Sequence, residues 1–126
     1  MNRFISSIAC VSIASVLAGC GGVSEVTKER VARSQTVVQQ SQQAVGNSEA
    51  GAIEMQRAKD LMETAQNELR EKNGAEAERF AARAQLTAEL AAAKAQSSQA
   101  RKAADELMAS IETLRQEAAR TSPTNR

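Results

Sequence analysis

Histidine, tryptophan and tyrosine are absent from this 126-residue chain, which holds two phenylalanines, two cysteines and one proline. Without imidazole there is no His-based metal site and no Ser–His or Cys–His nucleophile pair. One aromatic residue, Phe80, lies beyond position 20, so the stacking platforms of most single-strand nucleic-acid binders are missing. Sixteen basic residues balance fifteen acidic ones. That balance gives no electrostatic reason for a nucleic-acid partner. The length suits one small domain.

The chain does carry an address. Met1-Asn2-Arg3 has one positive charge, and Phe4 to Gly19 runs for 16 residues without a charge. That run is shorter than the roughly 20 residues of a membrane-spanning helix. A short basic start, an apolar stretch and small residues at its end read as a secretory signal over residues 1–19. Leu17-Ala18-Gly19-Cys20 then matches the lipobox of bacterial lipoproteins. In such proteins the thiol takes a diacylglyceryl group, the chain is cut before it, and the new amine is usually acylated. Cys20 becomes the lipidated first residue of the mature chain, and residues 20–24 its tether. At about 0.8 kcal/mol per buried methylene, two or three acyl chains hold a protein at a membrane. Cys10 sits inside the apolar run and is discarded with it, so no disulfide is expected. Apart from covalent lipid on Cys20, no cofactor or metal is expected. Gly21 follows where an Asp commonly retains a Gram-negative lipoprotein at the inner membrane, which points to the periplasmic face of the outer membrane.

From Cys20 onward, Ala, Glu, Lys, Leu and Arg supply 56 of 107 residues. About half from that set, with the right period, marks a long helix or coiled coil. Ser24 is placed to cap a helix, with Glu25 in its first turn. Asn73-Gly74 is a strong break, and Asn73 with Glu76 has the spacing of a capping box. Gly46 to Gly51 is a weaker one. Val31, Ser34, Val38, Ser41, Val45, Ser48, Ala52, Met55, Met62 and Leu69 share one seven-residue repeat. Because the repeat keeps phase across Gly46 to Gly51, it favours a continuous or kinked helix there. After the break, Ala77, Ala81, Ala84, Ala88, Ala91 and Ala95 form an alanine seam. Ala104, Leu107, Ile111, Leu114 and Ala118 form a second stripe.

The pattern predicts an all-α fold over residues 25–120. One helix of about Glu25 to Lys72 climbs away from the membrane. The chain turns at Asn73 and Gly74, and a helix of about Ala75 to Arg120 returns. In this long antiparallel hairpin Leu69 faces Ala77, Met62 faces Ala84, and Met55 faces Ala91 or Ala92. The alternative is a three-helix bundle with a real loop at Gly46 to Gly51. Residues 121–126, with Pro123, form a disordered tail. Leu, Ile, Val and Phe supply only 15 of the 107 residues, so the core is thin. Self-association or a periplasmic protein partner is expected.

Several segments resemble the small bacterial lipoproteins built on the domain of unknown function numbered 4398. They are the ladder Ala58, Leu61, Ala65 and Leu69, the turn at Gly74, and Glu78-Arg79-Phe80-Ala81-Ala82. The runs Ala88 to Ala95 and Ala103 to Leu114 also match. The likeness spans about Ser48 to Gln116. Ala75 and Glu76 stand where that family often has an acid and a Tyr, and Ile53-Glu54-Met55 lacks its early Pro. The resemblance implies an envelope lipoprotein with a helical hairpin.

No nucleophile, base or metal cluster marks an enzyme. Acids pair with neighbouring bases, as in Glu112 with Arg115, in the manner of solvated helix faces. Gln39-Gln40-Ser41-Gln42-Gln43 reads as a polar helix face, and Met55 and Met62 as core filling. Two roles remain. One is a lipid-anchored structural or interaction module. The other is noncovalent binding of peptidoglycan or another envelope polymer through the charged outer face.

Overall fold

A computed structural model describes residues 22–121. The leader, the lipobox Leu17-Ala18-Gly19, Cys20 and residues 122–126 lie outside the described residues. The fold is all-α, with helices α1 (Glu25–Val45), α2 (Ala52–Arg70) and α3 (Gly74–Thr121).

Of the two architectures the sequence allows, the described residues adopt the three-helix one. The continuous helix expected over Glu25 to Lys72 is broken. Gly46 has φ 52° and ψ −126°, and Gly51 has φ 88°. Neither conformation exists inside a right-handed helix, and both suit residues without a β-carbon. The chain reverses in the six residues between α1 and α2. Those six nearly fill one heptad, which is why the apolar repeat keeps its phase across a loop. Each helix sets that phase separately, by facing the same alanine seam.

Helix α1 begins as its residues dictate. Ser24 Oγ accepts the amide proton of Thr27 at 3.1 Å, and Glu25 occupies the first turn. The α2–α3 turn differs from the expectation. The left-handed residue is Lys72 at φ 65°, one position before Asn73. The Asn73 amide donates to the Glu68 carbonyl at 2.8 Å, and the Lys72 amide to that of Leu69 at 3.2 Å. This pair of bonds is the Schellman closure of a helix end. The Asn73 side chain donates to Glu68 Oε2 at 2.8 Å, and Glu76 pairs with Arg79, so no capping box forms. Gly74 already belongs to α3. A β-carbon on it would stand 3.3 Å from Val23 and 3.4 Å from Thr27, so its smallness lets the start of α1 approach.

Direction follows from the cross-contacts. Thr27 bonds Glu78 and Ser34 bonds Gln85, each 51 positions on, so α1 and α3 run parallel. Gly51, before the start of α2, abuts Ala91, while the end of α2 joins the start of α3 through the turn at Lys72 and Asn73, so α2 is antiparallel to both. The start of α1 and the α2–α3 turn therefore share one end of the bundle. Helix α3 leads away from that end, where the hairpin reading has it return.

The core runs along the packed faces of the three helices. Helix α3 contributes only alanine: Ala77, Ala81, Ala84, Ala88, Ala91 and Ala95. Helix α1 alternates, with Thr27, Val31, Ser34, Val38, Ser41 and Val45. Helix α2 contributes Met55, Ala58, Met62 and Ala65, and half-buried Leu69 packs against the core. Met62 lines a groove with Val38, and Met55 lines a second one with Val45. The uniform alanine wall of α3 lets both neighbours pack close.

Beyond Ala95 the bundle ends and α3 continues. Helix α3 has 48 residues, or ~72 Å at 1.5 Å each. From Gln99 to Thr121 every residue is exposed.

Candidate interaction surface

The expected seam residues Met55, Met62, Ala77, Ala84 and Ala91 are buried, and Leu69 is half-buried. They come together as bundle core. Asn73 and Gly74 flank the turn described above.

The polar groups at the bundle base form a connected set. The Ser24 and Thr27 hydroxyls are 2.9 Å apart. Thr27 Oγ1 donates to Glu78 Oε1 at 2.6 Å, and Arg30 Nη1 reaches Glu78 Oε2 at 2.8 Å. These bonds, Thr27's first and Arg30's second, hold the Glu78 carboxyl below the usual carboxylate range. At the other end of the bundle Lys94 donates to Glu54, and that bond lowers the Glu54 pKa in the same way. Both carboxylates are anchors between helices. Neither is poised as an acid or base, since each is held in its charged form by a direct donor. Among the described residues no group of three or more His, Cys, Asp or Glu could hold a metal ion. No helix among them is long and apolar enough to cross a membrane.

Gln39 and Gln42 line a shallow groove between α1 and α2 with Lys59, Glu63 and Gln66. Ser41, in the same polar tract, turns into the core. Phe80 packs against the core with the Arg83 guanidinium 5.9 Å above its ring centre.

The surface that stands out is the outer side of α3. Leu107, Ile111 and Leu114, from the second stripe, are 62%, 41% and 63% exposed. The stripe also starts earlier than its sequence reading suggests. Leu86 and Leu90, 65% and 50% exposed, stand on the same heptad phase three repeats before Leu107 and Ile111. Ala93, Ser97, Ala100 and Ala104 fill the positions between and are exposed too. At 100° per residue this line runs roughly 150° around the helix from the alanine seam. It therefore faces away from α1 and α2. Leu86 and Leu90 are missed from sequence because the alanine seam overlaps them and claims the same window. Counting heptads backward from Leu107 finds them.

Comparison with protein-family models, with curated proteins and with solved structures finds no match for this chain.

Proposed function

We propose that this protein is a lipid-anchored structural or interaction module on the periplasmic face of the bacterial outer membrane. The observation that carries the proposal is Cys20 directly behind Leu17-Ala18-Gly19, at the end of a charge-free leader. The described chain enters at Gly22, beside the α2–α3 turn, at the bundle end from which α3 departs. A lipid on Cys20 would hold that end at the bilayer. The exposed half of α3 would then project, with its apolar stripe presented well clear of the membrane. An enzymatic role finds no support in the anchored carboxylates. The resemblance to the lipoproteins of domain 4398 belongs with this reading.

The test is metabolic labelling. The full chain and its Cys20→Ser variant would be produced in a Gram-negative host fed labelled palmitate. The full chain should take label and sediment with outer membranes, and Cys20→Ser should do neither. An unlabelled full chain would overturn the proposal. Pelleting of the protein with purified, lipid-free cell-wall sacculi would favour polymer binding as the role of the exposed faces.

A further inference from the structure

We propose that a second copy of this chain covers the outer stripe of α3, forming a parallel two-stranded coiled coil from Leu86 to Leu114. The second copy is the partner that the proposed interaction module lacks, so the dimer rests on that reading.

Three observations support it. The first is the stripe itself. With Leu90, Ser97, Ala104 and Ile111 at position a, the d positions are Leu86, Ala93, Ala100, Leu107 and Leu114. Both ends carry large residues and the middle is small. At its far end the seam sets Ile111 at a between Leu107 and Leu114 at d, the β-branched a and Leu d combination that favours two strands. Among the described residues none covers this line, and the bundle lies on the far side of α3, so a second helix can approach along its whole length.

The second is the order of α3 past the bundle. A protein helix takes most of its stability from packing an amphipathic face. From Gln99 onward α3 has such a face, and no described residue covers it. Roughly four heptads of seam, ~43 Å at 1.5 Å per residue, would supply that packing.

The third is charge, and it decides direction. Positions e beside the seam are Thr87, Lys94, Arg101, Met108 and Arg115, so their charges are all positive. Positions g are Glu89, Gln96, Ala103, Ser110 and Glu117, so their charges are all negative. An antiparallel pair sets e against e and g against g, cation on cation and acid on acid. A parallel pair sets g against the following e of the other helix. Gln96 then meets Arg101, and Ser110 meets Arg115, while Glu89 lies beside Lys94, which already pairs with Glu54 of its own bundle, so no like charges are opposed. Parallel packing also brings both Gly22 entry points to one end, so two lipid anchors would enter one membrane.

The test uses the full chain in its host membrane, with single cysteines added. In a parallel pair a d residue meets its own counterpart across the seam, so two cysteines there can close to the ~3.5–4.5 Å between β-carbons that a disulfide needs. Leu107→Cys should give an oxidised species of doubled mass, and mapping of its peptides should join position 107 to position 107. Gln116→Cys, on the opposite side of α3, should not. Both substitutions are at exposed positions on the overhang, so neither disturbs the bundle core. Dimer only when Leu90→Cys and Leu107→Cys chains are mixed would overturn the parallel arrangement. Monomeric mass for the unsubstituted chain in detergent, or equal linking at 116, would overturn the dimer. The same experiment on Cys20→Ser separates the two proposals. A lipidated chain that does not link overturns the dimer alone, and a linked chain that takes no lipid overturns the anchor alone.

Discussion

Gly51 lies directly against the backbone of Ala91. A β-carbon added to Gly51 would stand 2.3 Å from the Ala91 carbonyl oxygen and 3.0 Å from its carbonyl carbon. The obstacle is main chain in the middle of a long helix, which cannot swing aside as a side chain could. This contact places the start of α2 on α3 and so sets where the α1–α2 loop ends.

Gly51→Ala should therefore be among the most harmful single changes in the bundle. It combines overlap with backbone and a left-handed φ of 88°. We expect a loss of about 2–4 kcal/mol, measured as the shift in denaturant midpoint. Gly46→Ala tests a positive φ without overlap, since the nearest atom to its added carbon is 3.7 Å away. It should cost about 1–2 kcal/mol. Equal losses at the two sites would show that the Ala91 contact is unimportant.

Lys72 holds the left-handed position that closes α2, at φ 65°. Glycine takes that conformation without a β-carbon clash. Lys72→Gly should raise stability by about 1 kcal/mol, visible as a higher melting temperature. Unchanged or lower melting would place the left-handed residue elsewhere in the turn.

Met62 is buried and lines the α1–α2 groove beside Val38. It is one of the few large side chains in a core made mostly of alanine, so its loss leaves a cavity. Met62→Ala should cost about 2–4 kcal/mol by chemical denaturation.

Glu54 and Glu78 both have pKa values lowered by hydrogen bonds to partners on another helix. A carboxyl held lower in the folded than in the unfolded chain stabilises above the unfolded value. That contribution is lost as pH falls through the folded value. Melting temperature should be flat near neutrality and decline below about pH 4.5, the ordinary value for these groups. Glu78→Gln should be less stable near neutrality and show a shallower decline in acid. An unchanged acid limb would mean that other carboxyls carry it.

The all-α class of this protein and the side of each helix that turns inward are local properties, legible residue by residue. Alanine-rich composition, a period close to 3.5 and the scarcity of Gly and Pro leave no room for a sheet. The repeat Val31, Ser34, Val38, Ser41, Val45 is legible because each residue's side follows from its own position in the helix. The Ser24 cap is legible for the same reason, since it needs only residues three apart. Local chemistry is what a linear pattern records.

Tertiary structure decided the rest. Whether Gly46 to Gly51 bends or reverses depends on where α2 finds a surface, and that surface is Ala91, forty positions away. Six loop residues nearly equal one heptad, so the sequence repeat keeps its phase even though its members Ser48 and Ala52 stay out of the core, and phase alone cannot distinguish a kink from a reversal. The left-handed turn residue is Lys72 and not Gly74, which already lies in α3 against Val23 and Thr27, a contact between chain segments about fifty positions apart. The same geometry made α3 parallel to α1 rather than a returning arm. With two helices occupying its alanine side, the remaining apolar line from Leu86 to Leu114 was left facing outward.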